Sequence, residues 1–127
     1  MAHKSRLSTF VIDCKGSDLG EAARFWSAAL GREAKVQPDG DLRYRELESS
    51  PDEPLVLLQA VDHESRIHLD IEADDLEAEA ARLEALGAKR IAFLKRWWVM
   101  EAPTGQRFCI VRPQRGPLDD KKANDWP

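Results

Sequence analysis

Several side chains that can bind a metal or move a proton stand inside stretches with the composition of β-strands. They are Asp13 in "STFVIDC", Gln59 in "LVLLQAV", His68 and Asp70 in "RIHLDIE", and Cys109 in "QRFCIVR". Imidazole, carboxylate and thiolate groups are common ligands of zinc-like ions, and an imidazole titrates near neutral pH, where it can act as a general base. Because alternate residues of a strand share a face, these side chains are expected to line one side of a sheet.

These residues belong to a structural unit that the sequence contains twice. The first copy of this unit begins near Leu7. The segment 7–14 is rich in β-branched and aromatic residues and predicts a strand. A helix follows, with Asp18 as its N-cap, an apolar stripe that includes Trp26, and Gly31 as its end. Three shorter strands are then predicted, namely "REAKVQ", "LRYRELE" and "LVLLQAV", separated by turn-forming residues.

A second copy of this unit starts at "RIHLDIE" and continues into a helix from Asp75 to Leu86 that Gly87 ends. The strands "AKRIAFL", "RWWVMEA" and "QRFCIVR" follow. Both helices contain "AAR" and "LG". Such a match could arise by chance, because alanine, leucine and arginine are common helix formers. The matching strand order on both sides favours a repeat. The sequence therefore predicts an α+β fold of two tandem β-α-β-β-β modules. The charged face of the second helix is interpreted as solvated.

Composition limits the classes of function. The 127 residues are 43% hydrophobic and 33% charged, and the net charge of −4 comes with no clustered basic face. These values predict one soluble domain that does not bind nucleic acid. No apolar run reaches the ~20 residues that cross a membrane, and the first residues lack a secretory signal, so we expect a cytoplasmic protein. Cys14 and Cys109 are then predicted to be free thiols.

The chain resembles the vicinal oxygen chelate superfamily, which includes glyoxalase I, the bleomycin-resistance proteins and extradiol dioxygenases. The likeness lies in "VIDC" with "DLGEAARFWSAALG", in "IHLDIEADDLEAEAARLEALGA" and in "APTGQRFCIV", and is greatest to the small glyoxalase-like domains of bacteria. The resemblance implies a cupped, partly open mixed sheet with helices outside, a homodimer, and a small-molecule ligand. The predicted domain is 1–113, with modules at about 7–60 and 66–113, and 114–127 is predicted to be a flexible tail.

The resemblance also implies a metal site whose ligands come from the first and last strand of each module. Those places fall at or near Val11, Gln59, His68 and Cys109. Among these four residues only His68 is of a type that the family uses as a metal ligand. Asp13, two residues after Val11, could also bind a metal. The ligand set is therefore interpreted as degenerate, with no certain cofactor and a divalent metal held by His68 and Cys109 as an alternative.

Alternation along the strands sorts the remaining side chains. In the first strand, Phe10 and Ile12 are expected to pack under a helix. In "RIHLDIE" the same is expected of the apolar residues Ile67, Leu69 and Ile71. Arg107 is expected to share a strand face with Cys109. Trp97 and Trp98 point to opposite faces, so one of them is expected on the concave, ligand-binding face of the sheet, and Trp98 is the candidate.

Each candidate residue has a structural alternative. His68 could be a metal ligand, a general base or a hydrogen-bonding wall residue, Cys109 could be a buried apolar residue, and Asp13 could cap a turn. Three functions remain open at this point. One is a small-molecule-binding protein without chemistry, another is a metal-dependent lyase, isomerase or dioxygenase, and the third is a metal-free enzyme using His68 or an accessory interaction domain.

Overall fold

The computed structural model describes residues 2–35, 42–119 and 121–127. In this part of the chain two helices and eight strands form an α+β fold with a mixed sheet, which confirms the predicted fold class. The elements are β1 His3–Lys15, α1 Gly20–Leu30, β2 Tyr44–Leu47, β3 Leu55–Val61, β4 Arg66–Ala73, α2 Leu76–Ala85, β5 Lys89–Leu94, β6 Trp97–Glu101, β7 Arg107–Val111 and β8 Asn124–Trp126. No helix within these ranges is long and apolar enough to cross a membrane.

Two compact units make up the chain, and their limits differ from those of the predicted modules. One unit is residues 9–68, and the other is residues 1–8 with residues 69–127. The first residues of β1 thus belong with the second half of the chain, and the first residues of β4 belong with the first half.

The unit of residues 9–68 is built on parallel pairing of β1 with β3, and β2 pairs antiparallel on the other side of β3. Its core lies under α1 and contains Ile12, Leu47 and Leu58. Ile12 is buried as expected, but Phe10 is 39% exposed. The expectation that Phe10 packs under the helix is therefore corrected, although Ser8, two residues earlier on the same face, is buried.

The predicted strand "REAKVQ" is reduced to one bridge in the described residues. Ala34 pairs with Leu47, and no other residue of 32–35 belongs to a strand. Val36 and Gln37 lie outside the described residues.

Helix α1 ends as predicted, with Gly31 in the left-handed conformation, at φ 67°.

The other unit pairs β4 parallel to β7, with β6 and β5 following antiparallel. Helix α2 covers a core that includes Met100 and Ile110, and Asp75 caps the helix by accepting from the backbone N–H of Ala78 at 3.0 Å. The expectation that Ile67 and Leu69 pack under a helix is corrected, because these side chains are 60% and 40% exposed.

The C-terminal end is anchored, which corrects the expectation of a flexible tail for its last residues. Strand β8 pairs antiparallel with His3–Ser5 of β1. The indole N–H of Trp126 donates to Ser5 Oγ at 2.8 Å, and the guanidinium of Arg82 lies 3.9 Å from the centre of the Trp126 ring. Trp126 therefore joins β1 to α2.

A buried carboxylate lies behind this anchor. Glu79, read from the sequence as part of a solvated face, is 0% exposed. Its oxygens accept from Arg82 Nε and Nη2, both at 2.8 Å, and from His3 Nε2 at 2.7 Å. A carboxylate out of water needs such donors to be stable, so the network fixes α2 against the start of β1.

We expect the Trp126→Ala substitution to lower the free energy of unfolding by about 2 kcal/mol, since it removes one hydrogen bond and one cation–π contact. Trp126→Phe keeps a ring under Arg82 but has no N–H donor, so about half of the loss should remain. Urea unfolding measures both. A Trp126→Ala variant as stable as the wild type would show that the C-terminal end contributes nothing to stability.

Candidate functional site

Three polar side chains form a row across neighbouring strands of the unit of residues 9–68. Asp13 of β1 is the register partner of Gln59 of β3, and Gln59 is the register partner of Tyr44 of β2. Partners in register share a sheet face, and the face opposite to this row carries the core under α1. Gln59 Nε2 lies 3.5 Å from the Tyr44 hydroxyl oxygen, so the Tyr44 proton remains available to an acceptor.

His68, in the first part of β4, meets this row at Asp13. His68 Nδ1 lies 2.8 Å from Asp13 Oδ2. The side chains are 12% and 1% exposed, so water competes little for this hydrogen bond. The structure thus brings Asp13, Gln59 and His68 of the predicted site together.

The carboxylate decides which nitrogen of His68 carries the proton. An ionised carboxylate only accepts hydrogen bonds, so Nδ1 must donate to Asp13 Oδ2. In the neutral ring the lone pair then lies on Nε2, which is the atom that can take a proton or bind a metal. The pair has the form in which an acidic side chain orients a histidine base.

The second oxygen of Asp13 has no hydrogen-bond donor within the described residues, although it is buried. The other cationic groups near Asp13 approach Oδ2, with Arg66 Nε at 3.5 Å and His63 Nε2 at 4.0 Å. Such an unsatisfied buried oxygen destabilises a fold by about 1–3 kcal/mol, so it is a position where a donor from a ligand or a water would be stabilising.

Cys14, next to Asp13 in the chain, is not a nucleophile. Its Sγ donates to the Ile12 carbonyl at 3.4 Å. Burial, and then the negative charge of Asp13, raise the pKa of the Cys14 thiol, which keeps it protonated. Both cysteines are free thiols, as predicted.

Asp70 and Cys109 lie side by side in the other unit. They are register partners on β4 and β7, and a carboxylate oxygen of Asp70 lies within 4.8 Å of Cys109 Sγ. One oxygen and one sulfur donor are of the types that a zinc-like ion binds, which adds Asp70 to the ligands expected from the sequence.

Two other predicted site residues have different roles. Arg107 is held by Glu101, its register partner, through a 3.1 Å bond from Nε. Trp98 is the register partner of Ile110 and packs on the core under α2, against Phe93 and Arg90. This corrects the expectation that Trp98 lines the ligand site, because it lies on the face opposite to Cys109.

Tyr44 is the site residue that sequence reasoning missed. Its strand, β2, has four residues of which three are polar or aromatic, so alternation assigns no face to it. Only the pairing register with β3 places Tyr44 beside Gln59. The one available signal is that a lone tyrosine stands among arginine and glutamate in "LRYRELE".

The comparisons with known proteins give the family and the fold. Residues 9–111 match the family described as "Glyoxalase-like domain". A search of curated proteins gave no match.

Solved structures of similar fold include methylmalonyl-CoA epimerase from Mycobacterium tuberculosis, with 20% identity, 85% of this chain and 87% of that chain covered, and a TM-score of 0.58. A glyoxalase/bleomycin resistance protein/dioxygenase superfamily member from Vibrio splendidus 12B01 has 21% identity, 83% and 99% coverage, and a TM-score of 0.51. A structure named NAD-dependent benzaldehyde dehydrogenase, from Legionella pneumophila, has 8% identity, 83% and 99% coverage, and a TM-score of 0.61. At these identities the likeness is one of fold.

Proposed function

Because the chain belongs to the glyoxalase-like domain family, we propose that it binds a small carbonyl compound at the row of Tyr44, Gln59 and Asp13, and that His68 moves a proton of that ligand. The observation that carries this proposal is the 2.8 Å contact of His68 Nδ1 with the buried Asp13 carboxylate. It leaves Nε2 as a base of fixed orientation. The protein is then a small-molecule-binding protein whose chemistry, where the ligand has an acidic proton, needs no cofactor.

The row of Tyr44, Gln59 and Asp13 would stabilise the ligand oxygen on which negative charge forms. The Tyr44 hydroxyl accepts from Gln59 and can donate its own proton to a ligand oxygen. A carbonyl oxygen held by such a donor makes the neighbouring C–H more acidic, because the negative charge that forms on the oxygen is stabilised. His68 Nε2 would take that C–H proton while Asp13 stabilises the imidazolium that results. Return of the proton completes the cycle, so no oxidant or reductant is required.

The second candidate is a metal-dependent lyase, isomerase or dioxygenase, and the proximity of Asp70 and Cys109 favours it. The resemblance implies His68 and Cys109 as ligands of such an ion, and a carboxylate oxygen of Asp70 beside Cys109 would be a further ligand. A bound divalent ion would polarise the ligand carbonyl.

One experiment separates the two candidates. The purified protein is incubated in D2O with a panel of carbonyl compounds that includes 2-oxo acids, malonates and methylmalonyl-CoA, and mass spectrometry measures carbon-bound deuterium. The proposal predicts deuterium incorporation that survives dialysis against EDTA and is lost in His68→Ala. Incorporation that EDTA abolishes and zinc restores, with loss in Cys109→Ser, would establish the metal-dependent candidate instead.

We also propose a homodimer in the cytoplasm, which rests on the family resemblance and on the composition. Light scattering after size exclusion should give twice the chain mass of 14.4 kDa. A mass of one chain at micromolar concentration would contradict the dimer, and cell fractionation tests the location.

A further inference from the structure

We propose that the ligand of this site is an acid, and that Arg66 binds its carboxylate. This inference rests on the proposed function, because it names the class of compound whose proton His68 moves. Arg66 and His68 are two residues apart on β4 and share a face. Both side chains approach the same atom, Asp13 Oδ2, at 3.5 Å and 2.8 Å.

Arg66 is less fully paired than the other arginines of the described chain that form ion pairs. Its contact with Asp13, through Nε, is 3.5 Å long. Arg32, Arg82 and Arg90 instead have contacts of 2.9, 2.8 and 2.7 Å with their carboxylates, which are the lengths of strong charge-assisted hydrogen bonds. The Arg66 side chain is also 48% exposed. A guanidinium has five N–H donors in a planar fork, so Arg66 keeps donors for a carboxylate from solution.

The surface around Arg66 carries groups of both signs. His63 stands in the loop of residues 62–65, with its Nε2 4.0 Å from Asp13 Oδ2 and its side chain 45% exposed. Asp62 and Glu64 of the same loop are exposed as well, and Glu64 pairs with Lys15 Nζ at 2.6 Å. Asp13 is buried, so the guanidinium of Arg66 is the charged group beside it that solvent reaches, and this guanidinium attracts a carboxylate.

The spacing along β4 limits the size of the acid. Residues two apart on a strand are separated by about 6.6 Å. A ligand held by Arg66 at its carboxylate can therefore present a C–H to His68 only when the two groups are a few bonds apart. Two classes of acid meet this condition. In a 2-oxo acid the carbonyl lies between the carboxylate and the acidic carbon. In a malonate-type compound the acidic carbon lies between the carboxylate and a second carbonyl.

The test measures the affinity of matched acids and esters by NMR titration of the amide signals of residues 13, 59 and 68. Malonate is compared with dimethyl malonate, and pyruvate with methyl pyruvate. We expect the wild type to prefer each acid over its ester by about tenfold, the effect of one charge-assisted hydrogen bond. In Arg66→Met this ratio should fall to about one, and Arg66→Lys, which keeps the charge but not the fork, should restore part of it. High salt should reduce the ratio as well.

A matched control removes a different positive charge from the same unit. Lys15 is exposed and its Nζ pairs with Glu64 at 2.6 Å. Lys15→Met should keep the acid-to-ester ratio of the wild type. A ratio that falls equally in Lys15→Met and Arg66→Met would mean that general charge, and not Arg66, selects the acid, and would overturn the inference.

The outcomes also separate this inference from the proposed function. A ratio unchanged in Arg66→Met, with deuterium still entering the ligand, overturns the inference alone. A ratio that collapses in Arg66→Met while no deuterium enters any probe supports carboxylate binding and contradicts proton transfer. Binding of no acid and no ester overturns both.

Discussion

In the His68→Ala variant we expect the rate of proton exchange to fall by about 10²–10⁴-fold for any compound that the wild type deuterates, which is the usual contribution of a positioned general base. The reason is that Asp13 holds Nδ1 of His68 and so leaves the lone pair of the neutral ring on Nε2. Asp13→Asn should lose a similar factor. An asparagine N–H2 group in the place of Oδ2 would donate to Nδ1, so the ring proton would move to Nε2 and the base would be lost.

A second histidine provides the comparison for these variants. His63 Nε2 lies 4.0 Å from Asp13 Oδ2, beyond hydrogen-bond distance. His63→Gln should therefore lower the exchange rate much less than His68→Ala does. Equal losses in the two variants would contradict the assignment of His68 as the base.

We expect Glu79→Gln to lower the free energy of unfolding by about 3 kcal/mol, at the lower end of the range for breaking a buried ion pair, since Arg82 keeps some contact with solvent. The substitution keeps the shape and helix propensity of the side chain, and it removes the negative charge that Arg82 and His3 share. Urea unfolding measures the loss.

Glu77→Gln is the matched control. Glu77 lies on the same helix and binds Arg90 at 2.7 Å, but its side chain is 64% exposed. An exposed pair contributes at most about 1 kcal/mol, so the variant should stay close to the wild type. A Glu79→Gln variant as stable as Glu77→Gln would show that burial adds nothing to this network.

The buried network also makes stability depend on pH. Burial is the largest influence on Glu79 and raises its pKa, but the hydrogen bonds from Arg82, His3 and Ser5 together outweigh burial, so the pKa of Glu79 lies below its usual value. The folded protein then binds fewer protons than the unfolded chain. The contribution of Glu79 is fully present above the unfolded-state pKa of about 4.3 and is lost as the pH falls through the folded-state value. Below about pH 4.3 stability should therefore fall less steeply in Glu79→Gln than in the wild type.

Local patterns predicted both helices and most of the strands, because each of these elements carries its own signal. The Gly31 end of α1 and the Asp75 cap of α2 depend on neighbours within a few residues. Alternation also placed His68 and Asp70 on the face opposite to Ile67 and the other apolar residues of β4.

What the sequence could not predict depends on partners that are distant in the chain. Alternation predicted that Phe10 and Leu69 are buried, but 39% and 40% of these side chains are exposed, because a strand's periodicity does not say which part of a face is covered. Trp126 stands in a segment without periodicity, yet it docks on Ser5, 121 residues away. Glu79 has the spacing of a surface residue and is buried by contacts with β1.

The same limit applies to the site. The sequence pointed to Asp13, Gln59 and His68, because each is a polar residue on a strand face that family resemblance makes a ligand position. It could not predict that Nδ1 of His68 meets Asp13, since that contact joins strands 55 residues apart. Nor could it place Tyr44 beside Gln59 without the register of β2 on β3.

The position of the proton on the His68 ring decides whether this residue can act as the base. Long-range ¹H–¹⁵N NMR correlation, at a pH where the ring is neutral, distinguishes a protonated Nδ1 from a protonated Nε2. We expect the Nδ1–H form in the wild type and the Nε2–H form in Asp13→Asn. A wild-type ring that carries its proton on Nε2 would contradict the proposed role of His68, because its lone pair would then lie on Nδ1, against Asp13, and could not take a proton from a ligand.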